Sequence, residues 1–452
     1  MVETSMESPA RAVPTTVSHG ATRDVSSYTS AAITAATIGA YVALLVVASR
    51  WGESLLAHGT RLQVETPPLV GVLDWRPGRT AIPAIVVAVA AIAIFTRLSD
   101  RWRWPTLLVA TAVGALAWAI ALALIDGPEE LTQPLLSHQY LHTVAQIDNL
   151  GTFLRTFTHQ ISHYNIHTQG HPPGLIVVLW IMNRIGLGGV RSNAALVFAG
   201  GAAAVVAVLV ATRNVAGEHI ARRAVPFLVL APAAVAWTSG DPFYAGVGAW
   251  AVTCLVLATS RRGRQSDGLA VLGGLLFAAT INLSYGLALL AIIPVIVAVW
   301  RRQYRVVWIA AATLMVAVML VWVGTGFAWW DGLAATRHQY FAGVANRRPY
   351  DYFLVGNLAT FAIVIGPAIV VALTRLRRGP FAVLVGAAVA VVLVADISGM
   401  SKAEVERIWL PFVPWVMVAG ALLTTRVRSA RVWLALQAGG ALVFAVAIRS
   451  PW

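Results

Sequence analysis

Apolar runs of roughly 17–25 residues recur along this chain, each long enough to cross a hydrocarbon core about 30 Å thick. The runs are apolar on every face, whereas a membrane-spanning strand alternates, so helices are the expected element. Short arginine clusters separate them: Arg97/Arg101/Arg103, Arg213/Arg222/Arg223, Arg261/Arg262/Arg264, Arg301/Arg302/Arg305, Arg375/Arg377/Arg378 and Arg426/Arg428/Arg431. Basic loops stay on the cytoplasmic side. Placing all six there predicts spans at roughly 31–50, 80–97, 105–125, 193–212, 224–239, 242–260, 268–282, 284–300, 306–326, 353–374, 380–396, 408–424 and 432–448. That is an all-α polytopic membrane protein of about 13 transmembrane helices, amino terminus inside and carboxyl terminus outside.

The apolar stretch 173–187 does not fit this alternation. It is short, carries Asn183 and Arg184, and as a crossing would put the Arg213–Arg223 cluster outside. It is therefore expected to lie along the outer interface. The outer side then receives the loops 51–79, 127–192 and 327–352, the turn 397–407, and short turns near Asp241 and Asn282. These loops hold most of the histidines, so chemistry is expected to face outward. Residues 1–30, rich in Ser, Thr and Ala, read as a disordered cytoplasmic tail with no cleavable signal peptide.

With 58% hydrophobic and 12% charged residues, a water-soluble domain is excluded. The net charge of +14 would suggest nucleic acid in a soluble protein, but here it is the positive-inside pattern, and no nucleic-acid partner is expected. Lys402 is the only lysine, and abundant Arg, Ala, Val and Gly point to a GC-rich bacterial genome and hence a bacterial plasma membrane. Cys254 is the only cysteine, which excludes an intrachain disulfide or thiolate metal site.

The 127–192 loop concentrates Glu129, Glu130, Asp148 and the histidines His138, His142, His159, His163, His167 and His171. Its 139–147 stretch has helical apolar spacing, and His171-Pro172-Pro173 fixes an extended entry to the next helix. His159, His163 and His167 stand at i, i+4 and i+8, which would suit a zinc site if they shared one helical face; interfacial or substrate-contacting histidines are the favoured reading. In the 327–352 loop, Trp329, Trp330, Tyr340 and Tyr350 accompany Arg337, Arg347 and Arg348. Outward arginines run against the charge bias, and guanidinium groups suit either phosphate or lipid headgroups. Arg407 could hold a lipid phosphate or pair with Glu404 and Glu406. Asp241 and Asp396 are acids at span ends, costly unless paired or hydrated. Glu53, Glu65, Asp74 and Arg76 surround Pro67-Pro68 in a first loop expected to cover the site.

A succession of motifs over about residues 105–425 resembles the GT-C membrane glycosyltransferases, especially the branch of the protein O-mannosyltransferases and the lipid A aminoarabinose transferase. It runs from the Tyr140 helix through His171-Pro172-Pro173-Gly174, a short interfacial helix, Arg191 and a cytoplasmic hairpin at 213–224. It continues with Ser239-Gly240-Asp241-Pro242 and ends in Glu406-Arg407-Ile408-Trp409-Leu410-Pro411 with Pro414. The segment 31–104 would then be an added N-terminal transmembrane hairpin and 426–452 a terminal helix.

The resemblance implies inverting transfer of a sugar from a polyprenyl-phosphate donor to a glycan or protein acceptor in the cell envelope. A carboxylate would deprotonate the acceptor and cations would hold the leaving phosphate. It implies at most a hard divalent cation as cofactor. The stretch before Tyr140 is Ser137-His138-Gln139, without the acid that relatives carry there, so Glu130, Asp148 and His138 are the candidate bases. Tyr140, His163, His167, His171, Asp241, Arg337, Arg347, Arg348 and Arg407 are the candidate substrate ligands. A lipid-linked glycan transporter and a non-catalytic assembly subunit are the competing readings.

Overall fold

A computed structural model describes residues 21–132, 140–424 and 426–451. Ten of its helices are long and apolar enough to cross a membrane, among them Ala31–Ala57, Val190–Ala216, Asp241–Ala258 and Val405–Leu423. An eleventh candidate is the pair Tyr350–Ile365 and Pro367–Leu373, bent by 103°. Gly366, at φ 81°, and Pro367 break the helix there, and the Gln437 side chain donates to the freed carbonyl of Ile365. The chain is a multi-pass α-helical membrane protein. Among the described residues the only sheet is the pairing of Val72–Leu73 with Ile448–Arg449, which ties the first loop to the carboxyl end.

Helix position follows from which face must be hidden. Val405–Leu423 is 89% buried over its apolar window and Asp241–Ala258 78%, so these form the centre. Ala31–Ala57 at 6% and Tyr304–Thr325 at 17% present apolar side chains all round and lie at the periphery, where lipid is the compatible solvent. At the centre, Asp241–Ala258 crosses Val190–Ala216 through glycines: a Cβ on Gly246 would stand 2.5 Å from the Gly200 carbonyl oxygen. Small residues let the backbones touch, five residues along the helix from Asp241.

The arginine clusters gather at one end of the bundle. Arg222 donates to the Trp102 carbonyl at 2.8 Å, Arg301 to Asn214 at 2.7 Å and Thr259 at 2.9 Å, and Arg223 to Thr424 at 2.9 Å. Arg375 reaches Thr34 at 3.3 Å. The loops 51–79, 327–352 and 397–407 meet at the other end, where Arg348 donates to the carbonyls of Leu62 at 2.9 Å and Gln63 at 3.2 Å, and also to Lys402.

Ala21–Ala57 is one helix, so residues 21–30 of the expected tail are helical, and residues 1–20 of it lie outside the described residues. Elongating an existing helix is far easier than nucleating one. Of the first two spans, the first packs on Tyr350–Leu373 and the second on Val427–Ala447 and Trp104–Ala123. His159, His163 and His167 share no helical face. Leu150–Thr156 ends before them, a 3-10 turn covers Ile161–His163, and Asn165 starts a new helix by accepting from the Thr168 amide at 3.0 Å. By contrast, Gly174–Arg184 is an 11-residue helix, roughly 16 Å long and too short to span.

Candidate functional site

Asp241 opens its helix beside Pro242, where a carboxylate is favoured by the helix dipole and proline by its missing amide. The Ser239 hydroxyl donates to Asp241 Oδ2 at 3.1 Å. Arg407 donates through Nη1 to the same Asp241 oxygen at 3.0 Å and through Nη2 to Glu404 Oε2 at 2.6 Å. The Arg407 and Asp241 side chains are 5% and 4% exposed, and that of Glu404 is 29% exposed. Glu404 is thus the carboxylate of this cluster that an incoming molecule can reach, and Asp241 serves to hold the guanidinium.

The backbone that presents Glu404 and Arg407 is strained. Ala403 and Glu404 both sit in the left-handed region, at φ 71° and 60°, which costs a non-glycine residue about 1–3 kcal/mol. The surroundings enforce it. Asn357 Nδ2 donates to the Ser401 carbonyl at 2.8 Å and to Asp396 at 3.1 Å, while its Oδ1 accepts from the Ala403 amide at 3.3 Å. The Lys402 amide donates to the Tyr340 hydroxyl at 3.0 Å, and its ammonium to the carbonyls of Ala345 and Arg348, each at 2.9 Å. Glu406, two residues further on, is buried and accepts from the Val70 amide at 3.1 Å, binding the first loop to the same turn.

The short helices of the large loop bring aromatic and imidazole groups to this cluster. Tyr140 is buried, with its ring 6.1 Å from that of His167, and the His171 ring is 5.5 Å from Tyr244, one turn along from Asp241. Burial, against a downward pull from Arg407, pushes the Tyr140 hydroxyl up to about 12. Burial, reinforced by the Arg407 charge, holds His167 down at about 4 and His171 at about 3. Burial pushes Glu404 up, but Arg407 outweighs it and keeps the carboxyl below its ordinary value. Near neutral pH the site therefore offers an ionised Glu404, two neutral imidazoles and a phenol that stays protonated.

Tyr140, His167, His171, Asp241 and Arg407 come together here. The other candidates do not join them. Glu130 borders a cavity of about 30 Å³ with Asp126 and Thr238, near Arg76. Asp148, His163, Arg337 and Arg347 are exposed, and Arg348 spends its guanidinium on backbone carbonyls. His138 lies outside the described residues. Sequence reasoning missed Glu404 as a site residue, though its position three before Arg407 was a signal, and it missed Tyr244, one turn after Asp241. Among the described residues no group of three or more His, Cys, Asp or Glu is arranged to hold a metal ion. Both carboxylates of the cluster are bonded to Arg407, so these residues do not fit a divalent cation. Comparison with known proteins finds no matching family model and no curated protein of significant sequence similarity.

Proposed function

We propose that this chain is an inverting glycosyltransferase that moves a sugar from a polyprenyl-phosphate carrier to an envelope acceptor, at the end of the bundle opposite the arginine clusters. In this reading the basic end is cytoplasmic, as charge bias in bacterial plasma membranes requires. The segments 218–236 and Tyr285–Trp300 complete thirteen crossings with the ten long helices and the bent pair, and Gly174–Arg184 lies along the outer interface.

The observation that carries the proposal is the Asp241–Arg407–Glu404 cluster at the junction of the large loop with two central helices. Glu404 takes the proton from the acceptor hydroxyl. The hydroxyl oxygen then forms its bond to the anomeric carbon on the face opposite the carrier, and the bond from that carbon to the phosphate oxygen breaks, its electron pair leaving with the polyprenyl phosphate. Water removes the proton from Glu404. Arg407 fixes the carboxylate's position and Asp241 fixes Arg407; neutral His167 and His171 and the protonated Tyr140 supply hydrogen bonds to sugar hydroxyls. Since two carboxylates already share Arg407, this account assigns the leaving phosphate to another cation.

The test compares purified wild type with Glu404→Gln and Glu404→Asp for release of polyprenyl phosphate from polyprenyl-phosphate sugar. Loss of a general base lowers turnover by about 10²–10⁴, with partial recovery in Glu404→Asp. Turnover in Glu404→Gln equal to wild type would remove Glu404 as the base. A buried ion pair also suits a carrier of lipid-linked glycans; movement of the donor across vesicles without its cleavage would favour that reading.

A further inference from the structure

A cleft of about 960 Å³ opens between the outer face of the Trp329–Ala342 helix and the 398–400 turn, lined by Trp330, Leu333, Arg337, His338, Phe341 and Met400 among others. Resting on the glycosyltransferase reading, we propose that this cleft binds the phosphate of an isoprenoid lipid, with Arg337 as its charged ligand.

Arg337 is the arginine that lines this cleft, and other cations of the outer end are already engaged. Arg407 is shared by two carboxylates, and Arg348 and Lys402 donate to backbone carbonyls. Arg337 is exposed and makes no hydrogen bond or ion pair among the described residues; its guanidinium lies 5.8 Å above the Phe341 ring. It stands among aromatic and aliphatic walls with His338 as a neighbouring donor, and no carboxylate lines the cleft. One cation in an apolar cleft complements a phosphate carried on a hydrocarbon chain: the guanidinium takes the anion, and the walls take isoprene units that a free phosphate lacks.

The helix that walls the cleft is also tied to the elements that carry the carboxylate cluster. The helix is fixed on its other face, where Trp329 donates to the Ile281 carbonyl at 2.8 Å and Thr336 to the Gln169 carbonyl at 2.9 Å. The Lys402 amide bonds Tyr340 on that face at 3.0 Å. One side of this helix thus grips the segment carrying His167 and the turn carrying Glu404. That turn forms the cleft wall at Met400 and reaches Glu404 four residues later, so one segment of chain borders both the cleft and the carboxylate cluster.

The test measures binding of polyprenyl phosphate to the full-length chain in phosphatidylcholine nanodiscs, without a sugar and without turnover. Arg337→Gln is expected to weaken binding roughly tenfold or more, as the loss of a charge-assisted bond does, with partial retention in Arg337→Lys and none of the effect in Arg347→Gln. Polyprenol without phosphate should bind weakly, and excess inorganic phosphate or phosphatidylglycerol should not displace the ligand. Unchanged affinity in Arg337→Gln, equal binding of polyprenol, or displacement by either competitor would overturn the assignment. The readout is separate from catalysis: Arg337-dependent binding with no sugar transfer would refute the transferase reading alone, and transfer that is indifferent to Arg337→Gln would refute the cleft alone.

Discussion

Replacing Arg407 by Gln removes the guanidinium that Asp241 and Glu404 share. The two losses are unequal. Glu404, 29% exposed, can turn its carboxylate to water, whereas Asp241, 4% exposed, keeps only the Ser239 hydroxyl at 3.1 Å. Removing one partner of a buried ion pair costs about 3–5 kcal/mol, and here the cost falls mainly on Asp241. Neutralising that residue as well relieves most of it, so Asp241→Asn in the Arg407→Gln background should regain on the order of 2 kcal/mol. Cys254 supplies the assay. It is the only cysteine and is buried in the Asp241–Ala258 helix, so a thiol-reactive dye reports unfolding at a single position during a thermal ramp. The expected order of stability is wild type, then the double variant, then Arg407→Gln. A double variant less stable than Arg407→Gln, or an Arg407→Gln melting curve that matches wild type, would refute the reasoning.

Other outcomes follow from the same structure. His167 and His171 are held at about 4 and about 3, below the ordinary value near 6.5, so between those limits the unfolded chain binds protons that the folded chain does not. Stability should therefore be independent of these groups above pH 6.5 and fall as pH drops from 6.5 toward 4; His171→Asn should flatten that decline, and equal slopes would contradict it. Arg348→Met leaves the Leu62 and Gln63 carbonyls without their donor, which should cost on the order of 2–3 kcal/mol and admit protease to the first loop; unchanged resistance would count against a structural role. Gly246→Ala sets a methyl 2.5 Å from the Gly200 carbonyl oxygen and should cost about 1–3 kcal/mol, whereas Gly386→Ala, with nothing within 4 Å, should be near neutral. Equal melting temperatures for the two glycine variants would reject the tight crossing.

The helical, multi-pass character was legible because lipid leaves a strong sequence trace, long apolar runs with arginines between them; the bend at Gly366-Pro367 inside the expected 353–374 span was not read. Nor were details set by distant partners. Gln437, which caps that bend, lies 72 positions from Ile365. The spacing of His159, His163 and His167 mimics a helical face, but the helix before them ends at Thr156, Ile161–His163 is a 3-10 turn, and Asn165 caps a new helix. Asp241 was legible as a costly acid at a span end, and Arg407 as an outward arginine beside two glutamates. Glu404 was named only as a neighbour of Arg407, because its part depends on a left-handed turn that Asn357 and Tyr340 enforce from other elements. Arg347 and Arg348 are adjacent and alike in sequence, yet one is exposed and the other holds three backbone carbonyls; burial separates them, and burial is a property of the packed fold.

The most direct measurement presents purified full-length protein with polyprenyl-phosphate sugars and follows the appearance of free polyprenyl phosphate together with a glycosylated acceptor drawn from envelope extract. The account predicts that wild type consumes at least one such donor with inversion at the anomeric carbon, and that Glu404→Gln, folded by the Cys254 melt, is slower by about 10²–10⁴. Donor left intact by wild type across the panel, or a product that retains the anomeric configuration, would contradict it.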